Sequence, residues 1–296
     1  MSYKKFLGAA SAALMVVIAV TLALAPAARA ASKYKVLHAF HGGDGSDPYG
    51  GLILDAAGNL YGTTGGGGAD NLGTVFKLAP NADGSWTESV LHSFNRSDGR
   101  QPNAALIFDA AGNLYGTTAR GGARAGTVFE LTPNADGSWT ESLLHSFDGS
   151  DGEYPSAGLI FDAAGNLYGT TEIGGTGNLG TVFRLTPNAD GNWTESVLHS
   201  FSIDLGVPLA ALIFDGAGNL YGTASSGGPA DGGAAFKLSP NQDGSWAYSL
   251  LHVFQGDPAL APYSGLVFGS AGTLYGSTAY CSSSSGCAGV IYQITP

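Results

Sequence analysis

Asp109-Ala-Ala-Gly-Asn-Leu-Tyr-Gly-Thr-Thr118 decides the fold, because the chain writes this stretch five times. It stands almost unchanged from Asp55 and from Asp162, and returns as DGAGNLYGTA from Asp215 and GSAGTLYGST from Gly269. The copies begin 54, 53, 53 and 54 residues apart. A fixed period of that length marks a tandem array of one supersecondary unit.

One unit reads as four strands. In the second, Ala105-Leu-Ile-Phe108 is a short apolar run suited to a strand enclosed on both faces. Ala110-Ala-Gly-Asn113 is a turn, with Gly112 free to take positive φ and Asp109 able to bond its backbone. Leu114–Thr118 supplies a second strand, and Thr127-Val-Phe-Glu-Leu131 alternates, so that Glu130 points away from Phe129. Pro133-Asn-Ala-Asp-Gly137 is a hairpin signal, and Trp139–Phe147 forms a fourth, more polar strand. Polarity rises from the first strand to the fourth, as in a propeller blade with an enclosed inner strand and a solvated outer one.

The expectation is an all-β, five-bladed β-propeller of four-stranded blades. A β-solenoid fits less well, because its coils repeat over a shorter length. The ends of the chain support the propeller. The outer-strand motif Leu-His-x-Phe occurs five times, with His at 38, 92, 145, 199 and 252, whereas the Trp that opens the strand occurs only at 86, 139, 193 and 246. The fifth unit stops after its third strand at Gly289–Ile294, and Tyr34–Phe40 carries the missing outer-strand pattern. The last blade is therefore expected to be closed by the N-terminal strand, which would remove an exposed sheet edge.

The units GLIFDAAGNLYGTT, GTVFxLTPNADGSW and TESVLHSF resemble the GloVer-type tandem repeat of exported bacterial surface proteins, over residues 34 to 296. That resemblance implies an exported, propeller-like repeat protein. It carries no activity and no catalytic residue across.

Residues 1–30 read as a signal peptide: Lys4 and Lys5 precede an apolar run from Phe6 to about Ala25, Pro26 breaks it, and Ala28-Arg29-Ala30 offers a cleavage site after Ala30. An uncleaved membrane anchor is the rival reading of the same run. Residues 31–296 are expected to form one domain, secreted, periplasmic or at the cell surface. Without Lys4, Lys5 and Arg29, nine basic side chains face 23 acidic ones. Such an acidic surface argues against nucleic acid or anionic lipid as partner. Cys281 and Cys287 are expected to pair as a disulfide in an oxidising compartment.

The Asp of each AAGN turn and the Asn-x-Asp-Gly hairpins lack the spaced oxygen ligands of a calcium loop, so turn capping explains them better. Each repeated His is read as bonding a neighbouring turn or blade. Their spacing keeps the five histidines apart, so neither a metal site nor a cofactor is expected. No Gly-x-Ser-x-Gly, phosphate-loop or HExxH motif occurs. The inter-unit loops repeat Asp44, Asp98, Asp151, Asp204 and Asp257. These either shape turns or form an acidic rim that binds a cation or sugar hydroxyls.

An enzyme needs one asymmetric site that breaks the repeat. Candidates are His41, Asp70, Arg96, Arg100, Arg120, Arg124, Glu153, Tyr154, Glu172, Tyr263 and Tyr280, with Glu153 and Glu172 as paired carboxylates of a glycosidase type. Near-identity of the units favours a non-enzymatic, monomeric propeller that presents repeated weak sites to a glycan or surface protein. The alternatives are a carbohydrate-active enzyme and a purely structural surface module.

Overall fold

The computed structural model describes residues 34–202, 205–255, 259–280 and 288–296. The signal peptide, Asp204, Asp257 and the Cys281–Cys287 pair lie outside the described residues. The chain divides after Leu37, and residues 34–37 of the first unit carry no strand. The second unit, His38–Pro296, is all-β.

The second repeat folds as Ile107–Phe108, Leu114–Thr118, Thr127–Pro133 and Trp139–Ser146, an antiparallel sheet in chain order. Repeats one, three and four form the same four-stranded sheet, and a two-stranded ladder of Leu205–Gly206 with Ser226–Gly227 joins the loops of the fourth. The inner strand is shorter than its apolar run suggests. Its ladder holds only two half-buried residues, while Leu106 just before it is 1% exposed. Burial peaks instead in the second and third strands, which have a sheet partner on each side.

Local chemistry fixes the turn. Asp109 Oδ1 accepts the backbone N–H groups of Ala111 and Asn113, and Oδ2 accepts Asn113 Nδ2 and Tyr115 Oη. Gly112 takes φ +88° there. Where Gly269 replaces the Asp, a 3₁₀ turn at Ser270–Gly272 takes over and forces Ala271 to φ 57°. That is a costly conformation for a residue with a Cβ.

Hydrophobic cores lie between repeats. Tyr115, Val128 and Phe147 of the second repeat pack with Leu159, Leu167, Phe183 and Leu185 of the third. The junctions on either side repeat this arrangement. At the junctions among the first four repeats the outer-strand Phe meets the next third-strand Phe edge to face, with Phe94–Phe129 and Phe147–Phe183 centroids both 5.0 Å apart, and at the last junction Phe254 meets Tyr292 in the same way. Gly116 makes room for this ring: a Cβ there would stand 2.6 Å from Phe129 Cζ.

The array ends differently from the expectation. The fifth sheet has three strands, Val267–Phe268, Leu274–Thr278 and Val290–Ile294, and residues 34–40 form no strand. Tyr34 and Val36 are 91% and 58% exposed, so little apolar burial offsets the entropy of ordering a strand there. His38 and Phe40 nevertheless hold outer-strand positions against the first repeat. Phe40 lies 4.9 Å from Phe76, and His38 reaches Asp44. Both terminal faces are open: Leu52 is 53% exposed where Leu106, Leu159, Leu212 and Leu266 are nearly sealed, and Ile291 is 80% exposed where Val75, Val128 and Val182 are fully buried.

Gly116→Ala is expected to destabilise the protein by about 1–3 kcal/mol through overpacking, although Ala restricts the unfolded chain more. Phe129→Leu in the same chain should restore part of that loss by removing the opposing ring edge. Urea unfolding of the single and double variants measures both; additive losses would exclude the contact as the cause.

Candidate functional site

One end of the sheets carries the inter-unit loops and the Gly-rich loops that follow each second strand. The backbone joins them by bridges at Ser46↔Gly66, Arg100↔Arg120, Glu153↔Ile173 and Leu260↔Tyr280. The outer strand enters this end through a bulge. Val128 faces His145 while Phe129 faces Leu143, leaving Leu144 extra. A bulge re-aims the side chains beyond it. His145 Nε2 accordingly meets Asp151 Oδ2 at 2.8 Å, and the same pair forms between His38 and Asp44 at 2.9 Å and between His92 and Asp98 at 3.2 Å.

Asp44, Asp98 and Asp151 thus bond within their own loops. Besides the histidine, Asp44, Asp98 and Asp151 accept the backbone N–H of His41, Asn95 and Asp148, respectively. Asp98 is only 9% exposed. The His41 N–H bond is the chief cause holding the Asp44 carboxyl below its ordinary range.

A third group arrives from the next repeat. His38, Asp44 and Glu88 each place a ligand-type atom within 4.8 Å of the other two. At the following junctions, Glu141 feels the charge of Asp98, and Glu195 feels those of His145 and Asp151. In all three glutamates Oε1 is shut off from solvent and lacks a hydrogen-bond partner. Burial, reinforced by Asp98, raises Glu141 to about 7. Burial also raises Glu195 to about 7 and shifts Glu88 upward. The fourth repeat puts Tyr248 in the glutamate's place, and its ring stacks on His199 at 3.9 Å and 4°. Glutamate four positions before the histidine, in three repeats, was the signal available in sequence; these residues were not singled out there.

The loops of the second repeat break the pattern differently. Arg100 and Arg120 form a bridge in which each N–H donates to the other's carbonyl, at 2.7 and 3.1 Å. Gly121 bridges Arg124, and Gly122 N–H donates to the Arg96 carbonyl. Four of the nine basic residues beyond position 30 therefore gather in one loop cluster. Arg96, Arg120 and Arg124 are exposed and Arg100 is half-buried. The Arg120 guanidinium lies 4.7 Å from the Tyr154 ring of the next repeat. Among the described residues no carboxylate forms an ion pair with these arginines.

Glu153 and Glu172 also become loop neighbours: Glu172 N–H donates to the Tyr154 carbonyl beside Glu153. Tyr263 and Tyr280 meet edge to face at 6.1 Å, whereas His41 and Asp70 are exposed. At the opposite end, Tyr61, Lys77, Asp109 and Trp139 line a hollow of about 660 Å³ whose Asp109 oxygens are occupied by the turn.

The buried glutamates set a pH dependence. Their folded-state values lie above the ordinary 4.5, so the native state holds these protons more tightly than the unfolded chain. Their contribution to stability is complete below pH 4.5 and is lost as pH rises through about 7. Glu141→Gln with Glu195→Gln is expected to flatten stability across that window. Urea unfolding at its two limits measures this, and an unchanged slope would exclude the assignment.

No curated protein matches this chain. Among solved structures, an ancestral GH74 enzyme is similar over 83% of this chain and 33% of its own, at 11% identity and a TM-score of 0.54. A protein of unknown function from Dyadobacter fermentans covers 86% of this chain and 84% of its own at 12% identity and a TM-score of 0.47. A glucose dehydrogenase covers 84% of each at 16% identity and the same TM-score, 0.47. The first likeness is one of fold alone, a β-propeller-like arrangement of repeated four-stranded antiparallel sheets. The repeat itself is more specific: a family model matches residues 23–229, and the chain belongs to the Gloeobacter/Verrucomicrobia repeat family.

Proposed function

We propose that this protein is an exported, non-enzymatic binding module whose loop end takes an acidic glycan. The arginine bridge carries the reading. Like charges set opposite each other in an antiparallel pair destabilise it, and the corresponding bridges at Ser46↔Gly66, Glu153↔Ile173 and Leu260↔Tyr280 have no such pair. Two guanidiniums without a carboxylate partner, in a chain of net charge −11, form a local site for an anion. Arginine's planar fork suits carboxylate or sulfate groups of a sugar polymer. The Tyr154 ring beside Arg120 adds an apolar face of the kind a pyranose ring packs against.

The rest of the surface repels a polyanion, so binding is confined to this cluster. The charge cluster also favours this reading over a site built on repeat-breaking carboxylates: Glu153 and Glu172 are loop neighbours, but nothing marks one as acid and the other as base. A soluble polyuronate bound to the purified chain tests the proposal. Binding should weaken with salt, and Arg100→Ala with Arg120→Ala should reduce affinity at least about 10-fold. Equal affinity in that double variant, or preference for the uncharged polymer, would overturn it; sugar release would favour the enzyme.

We also propose that the five repeats close as five blades. The open face around Leu52 and Leu54 and the open face around Tyr275 and Ile291 are the two halves of the junction that inner repeats bury. Intramolecular union would give a monomer with a radius of gyration of about 18 Å for some 266 residues. Small-angle scattering measures it. Growth of that radius with concentration would instead show head-to-tail association.

A further inference from the structure

The first junction brings together three side chains that carry metal-ligating atoms. His38 and Asp44 come from the segment leading into the first repeat and Glu88 from its outer strand, so residues 50 positions apart converge. One imidazole nitrogen and two carboxylates are half-buried there, with an acceptor oxygen of Glu88 sealed from water and unpartnered. A sealed, unpaired carboxylate oxygen is costly unless it is protonated or meets a cation.

We propose that His38, Asp44 and Glu88 bind a divalent transition-metal ion of the zinc class. Nitrogen with carboxylate oxygen suits zinc, and calcium or magnesium prefers oxygen alone. Metal–ligand lengths of about 2.0–2.2 Å hold ligand atoms no more than roughly 4 Å apart, so a small rotation of Glu88 completes the set. Three protein ligands leave one position open for water.

The His–Asp pair and an unpartnered glutamate oxygen also occur together at the next two junctions, but among the described residues only His38, Asp44 and Glu88 bring all three ligand atoms within 4.8 Å of one another. Where the glutamate is absent, Tyr248 stacks on His199. Because Glu88 lies 50 positions beyond His38, the ion ties the entering segment to the first sheet and binds only the folded chain.

The test strips the purified full chain with a chelator and titrates it with zinc sulfate, reading metal content after dialysis and the thermal midpoint. The expected result is saturable uptake approaching about one equivalent, with a raised midpoint. Glu88→Gln should abolish that uptake, and Glu141→Gln should leave it unchanged. Both glutamine variants should keep the wild-type far-ultraviolet spectrum in chelator, since an isosteric group replaces the carboxyl. Absence of saturable uptake by the wild type would overturn the proposal. So would equal uptake by Glu88→Gln, which would place the metal on surface carboxylates or cysteine thiols.

Discussion

The edge-to-face meeting of aromatic rings across each junction is the contact on which the array depends. Phe94 with Phe129, Phe147 with Phe183 and Phe201 with Phe236 bring successive sheets to one fixed spacing, with centroids 5.0–5.3 Å apart. Aromatic pairs in this geometry add to the burial of both rings. The spacing is available only because a glycine of the second strand leaves the ring its place, as at Gly116, Gly169 and Gly222. Everything at the loop end inherits that spacing, including the reach of Glu88 toward His38 and of Arg120 toward Tyr154.

The junction also decides which polar contacts are made. Thr117 Oγ1 donates to the Ala157 carbonyl and Thr223 Oγ1 to the Ser264 carbonyl, so hydroxyls of one repeat satisfy backbone acceptors of the next. Buried acceptors need such partners, which favours one register between sheets over sliding alternatives. The glutamates are exceptions, with Arg184, Tyr248 and Tyr292, because polar atoms of their side chains are sealed from solvent without a hydrogen-bond partner. A side chain that breaks the local rule at the same place in three repeats points to a role other than packing.

Much of the fold was legible because its determinants are local. Asp109 caps its own turn within a few residues, Gly112 takes the positive φ, and the hairpin Asn134 accepts and donates inside its own loop. The site was less legible because it arises from slips and juxtapositions. A single extra residue, Leu144, re-aims His145, and no alternation of apolar and polar residues reveals so small a shift. Asp98 acts on Glu141 from 43 positions away, and only the junction geometry says which outer strand meets which loop. The closing strand was read from a motif that is present at Tyr34–Phe40, but a motif alone does not supply the burial that orders a strand.

The open faces at the two ends give the array a direction. Every repeat presents a Leu106-type face on one side and a Val128-type face on the other, so a junction forms only head to tail. Inserting or deleting a whole repeat creates or removes one complete junction and still leaves a Leu106-type face and a Val128-type face available to each other. A partial repeat breaks that pairing, because it leaves a face without its complement, so in-frame duplication of whole units is the change in length that such a chain accommodates.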